Sequence, residues 1–252
     1  MLNNYKITLV HCPYNHFHKD KSLRDFLSET WKMKLEGFRA YFPYGVLPVD
    51  HLDFISNHVV VSKFINNELV PVSGFKSISA HIANLFRIPF PVETHIYGGS
   101  EIDFPLFSKV INMWKKNKPL DKMAYNFGYT IDPTLTKEEK KFISALTYAC
   151  IYFYYKELKI PNIIHWVNNT FKLVEGQRDI GFEKCSYLNE ELPPLISKSL
   201  FNLEYHLMTM ENLQFNPNYI QQIEREFRKV WDNKIVFGSN QIEENQNIDI
   251  AS

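Results

Sequence analysis

Asp50 and Asp53, three residues apart in the segment VDHLDF, are spaced for two carboxylates to work together. Such a pair favours a cation, so it could hold an ammonium group, or one acid could hold the water that takes its proton. Arg24 could pair with these acids or grip a ligand carboxylate through two parallel hydrogen bonds. Taken as surface groups, the same residues make a turn of solvated acids and an ordinary ion pair. A second charged place is TLTKEEKKF, where Thr136 and Glu139 form a capping box. The amides of Thr136 to Glu139, helped by Lys137, Lys140 and Lys141, could receive phosphate, because a helix start is an anion site. The plainer alternative is a capped surface helix, and no glycine is present to let phosphate approach closely. Glu101 and Asp103, after Gly98 and Gly99, read as a further acid pair or as a solvated loop tip.

His11, Cys12, His16 and His18 are the densest group of zinc-ligand types, but their spacing fits no standard site, so no metal is expected. Cys12 with a nearby histidine is the basis of a hydrolase reading. The three cysteines, Cys12, Cys150 and Cys185, lie far apart and are odd in number, which suits a reducing compartment. MLNNYKITLV has neither a basic stretch ahead of an apolar one nor a small-residue cleavage site, so a cytoplasmic protein without an export signal is expected. Lys plus Arg and Asp plus Glu number 28 each, leaving no net field to hold a nucleic acid. At 15% aromatic, the chain has enough rings to fill a core or to line a tunnel for an apolar chain.

These residues need elements to position them. Tyr5 to Val10 alternates as a strand, and Ser22 is placed to cap a helix bearing Leu23, Phe26, Leu27, Trp31 and Leu35. Val59 to Ile65 and Leu69 to Phe75 flank Asn66-Asn67 as a hairpin. A short helix near His81 to Phe86, a strand at Val92 to Tyr97 and a helix over Leu106 to Trp114 follow. Met123 to Ile131 reads as a strand leading through the capping box into a long helix. Its apolar stretch, Phe142 to Tyr155, is shorter than the roughly 20 residues of a membrane span and reads as buried. Asn162 to Val167 is a strand, followed by a helix from about Asn169 that stops before Gly181. Lys184 to Leu188 and Leu203 to Met210 read as strands, and Tyr219 to Trp231 as a docked amphipathic helix. Residues 1–238 are expected to form one domain, at 45% hydrophobic, and the polar tail 239–252 to be disordered.

This order of elements resembles the GCN5-related acyltransferase fold over roughly residues 5–210. LRDF, Trp31, VDHLDF and VVVSKFINNELVPVSGFKSIS resemble the pattern of the acyl-homoserine-lactone synthase and N-acyl amino acid synthase branch. Arg24, Trp31, Asp50, Asp53 and Lys76 occupy the places of its Leu-Arg pair, tryptophan, acidic pair and hairpin-ending basic residue. IPNIIHWVNNTFKLVEGQRDIGF resembles the closing strand and helix, with Arg178 in its usual ending. The resemblance implies an α/β (α+β) fold with a mixed, mostly antiparallel sheet flanked by helices. It implies an N-acyltransferase moving an acyl chain from acyl-CoA or an acyl carrier protein's phosphopantetheine thioester to a small amine or amino acid. On this reading Asp50, Asp53 and Arg24 are catalytic, while Trp31, Lys76, Glu101 and Arg178 bind substrate. Two departures stand out: KMAYNFGYTID lacks the Glu and Arg that the synthases carry in that strand, and TLTKEEKKF lacks the glycines of a coenzyme A pyrophosphate loop. The first permits an inactive acyl-ligand or protein-binding relative, and the second favours a carrier protein as donor.

Overall fold

The computed structural model describes residues 2–40, 49–98, 104–169, 173–197 and 203–238. Its elements run β1 (Tyr5–Val10), α1 (Lys21–Arg39), α2 (Leu52–Ile55), β2 (Asn57–Ile65), β3 (Glu68–Ser79), α3 (Ala80–Leu85) and α4 (Pro91–Thr94). Next come α5 (Phe104–Lys115), β4 (Met123–Ile131), α6 (Lys137–Leu158), β5 (Asn162–Asn168) and α7 (Leu173–Ile180). The short strands β6 (Glu183–Lys184), β7 (Ser186–Tyr187), β8 (Glu190–Glu191) and β9 (Leu195–Ser197) precede β10 (Leu203–Met210), α8 (Pro217–Asp232) and β11 (Ile235–Phe237). Glu101, Asp103 and the tail from 239 onward lie outside the described residues.

The chain divides into two compact units. The first comprises 1–76, 128–147 and 229–252. In it β11 lies parallel to β1, and β1 lies antiparallel to β2 with Tyr5 opposite Lys63 and Val10 opposite His58. β3 and the second half of β4 follow in order. Asn66 and Asn67 join β2 to β3 with φ of 51° and 65°, the left-handed pair that a two-residue hairpin turn of matching twist requires. α1 starts at Lys21, capped by Asp20, whose carboxylate accepts the Leu23 N–H at 3.1 Å. Ser22, expected as the cap, therefore sits inside the first turn. Leu23, Leu27, Thr30 and Lys34 recur at helical spacing and are buried. Gly37 ends that face, because a β-carbon there would stand 2.5 Å from Thr130 Cγ2. The first half of α6 contributes Phe142 against Tyr5, ring centroids 5.2 Å apart, and Thr147, whose hydroxyl meets that of Ser73 at 2.9 Å.

The second unit comprises 77–127 and 148–228. Here the first half of β4 pairs parallel with β5, β5 pairs antiparallel with β10, and β6 and β9 add to β10. The strand expected at Val92 to Tyr97 is instead α4 and a 3-10 turn over His95–Gly98. Pro91, with φ already fixed near the helical value, opens that helix at a position where its missing N–H costs nothing. Lys184 to Leu188 likewise splits at Cys185 into β6 and β7, and Leu188 and Asn189, with φ of 52° and 67°, turn the chain back into β8. Tyr148 through Tyr155 of α6 are all buried, as a helix apolar on every side must be. Among the described residues no helix is long and apolar enough to cross a membrane.

Candidate active site

In the first unit, α2 is one short turn that folds the two expected acids onto each other. The Asp50 N–H donates to Asp53 Oδ2 at 2.9 Å, the Asp53 N–H returns to the Asp50 carbonyl at 3.0 Å, and Asp50 Oδ1 accepts from Leu52 N–H. The two carboxylates are not equivalent. Asp53 is fully buried and held by Lys34 Nζ at 3.1 Å and Lys76 Nζ at 2.8 Å. Asp50 is half exposed and lies 3.6 Å from Lys76. His58 Nε2 meets the Asp53 carbonyl at 2.7 Å, which fixes the peptide that carries the acid.

The titration behaviour follows from this packing. Burial alone would push the Asp53 carboxyl up, but the charges of Lys34 and Lys76 hold it at about 2. A carboxylate so firmly ionised accepts protons poorly, so Asp53 acts as the anchor of the two lysines. Burial and the neighbouring Lys76 bring Lys34 down to about 8 against the pull of Asp53. Burial, then Lys34, bring His58 down to about 3, so its ring is neutral. Lys34 and His58 escaped the sequence reading. The usable signal for Lys34 was its place in the spacing Leu23, Leu27, Thr30, Lys34, which carries a cation onto the buried face of α1.

The other expected residues fall elsewhere. Arg24 donates to the carbonyls of Phe17 and His18 at 3.0 and 2.9 Å and closes the loop before α1. Trp31 joins an aromatic cluster with Phe17 and Phe54, at 5.8 and 5.4 Å, and Phe54 is the neighbour of Asp53 on α2. Cys12, with its backbone N–H on Asn57, has a thiol that burial pushes up to about 11, so it stays protonated. Among the described residues no three His, Cys, Asp or Glu side chains gather as a metal site.

At the start of α6, Thr136 and Glu139 form the expected reciprocal cap. Glu139 also takes Lys63 at 2.5 Å, a contact that with the cap lowers its carboxyl to about 2. A phosphate arriving there must displace this carboxylate. Lys140 is turned to the Pro133 carbonyl at 2.7 Å, whereas Lys137 and Lys141 are exposed. In the second unit, Arg178 is an exposed partner of Glu191.

The second unit supplies a different kind of opening. β4 and β5 pair through Met123–Asn162, Ala124–Ile163 and Tyr125–Ile164, and there the ladder stops although both strands continue. Beyond a parted parallel pair, the backbone amides and carbonyls that turn towards the gap lack the opposite strand as a partner and can meet a ligand.

Two structures of BjaI, a CoA-dependent acyl-homoserine lactone synthase, match this chain over 92% of each chain at 11% identity. Their TM-scores are 0.53 with MTA bound and 0.54 with SAM and isopentyl-CoA. The fold is that of the acyl-homoserine lactone synthases. TofI, in a ternary complex with an inhibitor and MTA, matches 85% of this chain and 99% of its own at 7% identity, with a TM-score of 0.50. No family model and no curated protein sequence matches the chain. The synthase fold thus persists at identities where side chains have largely been exchanged, and the acyltransferase-like α/β architecture with its mixed, mostly antiparallel strands agrees with the sequence expectation.

Proposed function

We propose that the chain is an acyltransferase that moves an acyl group from a phosphopantetheine thioester to a small amine-bearing acceptor. The observation that carries this reading is the parting of β4 from β5 after Tyr125 and Ile164, in a fold shared with a CoA-dependent synthase. Acyl transfer to an amine needs no covalent nucleophile; it needs a fixed thioester, donors for the developing oxyanion and an exit for the amine proton. Free amides along the parted strands suit the thioester arm and the oxyanion. Within the first unit, the half-exposed Asp50 carboxylate, braced by Lys76, is a place that attracts a cationic group and orders water able to take a proton. Asp53 holds that arrangement in place, Trp31 and Phe54 form the apolar wall beside it, and Arg24 fixes the loop from which α1 starts.

A carrier protein is the preferred donor. The start of α6 has no glycine and carries its own carboxylate, so it suits free coenzyme A poorly, while exposed Lys137 and Lys141 can meet an acidic carrier. SAM, bound in the BjaI structure, is the first acceptor to test, followed by free amino acids. The test offers acyl-CoA and acyl-carrier thioesters, butanoyl to hexadecanoyl, with each acceptor, and follows thiol release and the product amide by mass spectrometry. Absence of thiol release above buffer with every pair, from protein shown to be folded, overturns the reading. It would favour a binding module instead, consistent with a β4 that reads MAYNFGYTI and carries no charged residue.

A further inference from the structure

Within the second unit, the residues that follow the last β4–β5 pair are Asn126 and His165. Parallel strands in register send aligned side chains to the same face, and successive residues to opposite faces. Tyr125 stands 6.3 Å from the Phe90 ring, and Trp166 donates to the Val92 carbonyl and stacks on His95, so both face the segment around α4. Asn126 and His165 therefore emerge together on the opposite face, where the His165 ring lies 4.4 Å from Phe182. They are only 4% and 3% exposed. Among the described residues neither Asn126 Oδ1 nor His165 Nε2 has a hydrogen-bond partner. Buried polar atoms are almost always paired, and two orphans on one face, each one residue past the last pair of the ladder, point to a ligand group that pairs them.

The chemistry narrows that group. Their neighbours on the same face, Ala124, Ile163, Val167 and Phe182, are apolar and buried, which suits an acyl chain. Burial holds His165 near 3, hence neutral, and able to present an Nε2–H. An ammonium would enter a place that disfavours positive charge. A carbonyl oxygen can only accept and would leave Asn126 Oδ1 unpaired. A hydroxyl does both tasks. Resting on the acyltransfer reading, we propose that Asn126 and His165 seat one hydroxyl of the donor's acyl chain, which donates to Asn126 Oδ1 and accepts from His165 Nε2–H. The enzyme's substrates are then hydroxyacyl thioesters, because a site built to bond a hydroxyl rejects the chain that lacks it and leaves two buried atoms unmet.

The experiment compares decanoyl, α-hydroxydecanoyl and β-hydroxydecanoyl thioesters, each on coenzyme A and on a carrier protein, by kcat/KM. The wild type should favour one hydroxylated donor by about 100-fold or more over decanoyl. Asn126→Leu, which keeps the branched outline and removes the polar atoms, should collapse that ratio towards unity. Equal use of decanoyl and both hydroxylated donors by the wild type overturns the proposal and leaves the acyltransfer reading standing, with water as the occupant of the seat. A folded Asn126→Leu that keeps the wild-type ratio also overturns it. Consumption of no donor at all overturns the acyltransfer reading itself, and this inference with it.

Discussion

Asp53→Asn removes a buried anion from between two buried ammonium groups. Lys34 and Lys76 approach it at 3.1 and 2.8 Å, and their side chains are 2% and 4% exposed. Asparagine preserves the volume and one acceptor oxygen, but its NH2 must face a lysine, and the counter-charge left is the half-exposed Asp50 at 3.6 Å from Lys76. Breaking a buried ion pair from one side costs about 3–5 kcal/mol. For a chain of this size each kcal/mol moves Tm by about 2–4 °C, so a fall of about 6–20 °C is expected near neutral pH. The deficit should shrink as pH rises. Lys34 already sits at about 8 against 10.5 for the free side chain, through burial first and Lys76 second, and loss of Asp53 lowers it further. Between the folded and unfolded values the unfolded chain binds a proton that the folded chain has released, so stability climbs with pH across that window. In the variant the window opens well below about pH 8, whereas in the wild type it opens near there. The wild type's debt to Asp53 appears on the acid side, where stability present above the ordinary 3.8 is lost as pH falls through about 2. Thermal melts followed by circular dichroism at stepped pH read both effects. A variant within about 2 °C of wild type at neutral pH, or a gap that widens towards alkaline pH, refutes the reasoning.

Asp50→Asn should behave in the opposite manner, lowering acyl transfer by about ten-fold or more while Tm moves little, because Asp50 is half exposed and Asp53 still holds both lysines. Steady-state rates and a melt on the same preparation separate the two effects. Cys12→Ser should leave acyl transfer unchanged, and Cys12 should react slowly with iodoacetamide at neutral pH, since burial keeps its thiol protonated. Rapid labelling of Cys12 in the native protein would contradict this. Lys137→Glu with Lys141→Glu should weaken binding of an acidic acyl carrier by about ten-fold at low salt and far less at high salt. Titrations at two ionic strengths check it, and an unchanged carrier affinity would leave both lysines as a solvated helix face.

What was legible in the sequence is what local chemistry decides. Asn66-Asn67 announced its hairpin because few residues accept two left-handed positions, and the Thr136–Glu139 box announced α6 because both partners lie within one turn. Asp20 displaced Ser22 as the cap of α1 because either residue satisfies the same rule, and only the path of the preceding loop chooses between them. The acid pair and Lys76 were singled out together through the family resemblance, and they meet because the hairpin that carries the lysine returns alongside the strand that follows α2. Lys34 and His58 were missed because a lysine and a histidine in apolar runs look like exceptions until the buried Asp53 that explains them is in view. The parting of β4 from β5 has no local signal, being a relation between strands more than thirty residues apart.

The cost of the Lys34–Asp53–Lys76 cluster bears on what it is for. Apolar residues of the same volume would serve stability as well or better, because taking charges out of water is expensive even when they are paired. Stability is therefore a poor reason for placing two lysines and an aspartate under α1. Two buried cations facing one buried anion leave one positive charge to be met, and Asp50, half exposed at 3.6 Å from Lys76, meets it from the solvent side. The buried part sets the position of Lys76, and Lys76 in turn fixes a carboxylate that a ligand can reach. On this account Lys34→Met, which removes the lysine already inclined to lose its proton and leaves Asp53 paired with Lys76, should cost less than the loss of Asp53 does. Lys76→Met should cost little more in stability, yet it frees Asp50 and so should depress acyl transfer as strongly as Asp50→Asn does. Equal activity in the two lysine variants would show that the cluster acts as packing and that Asp50 needs no bracing.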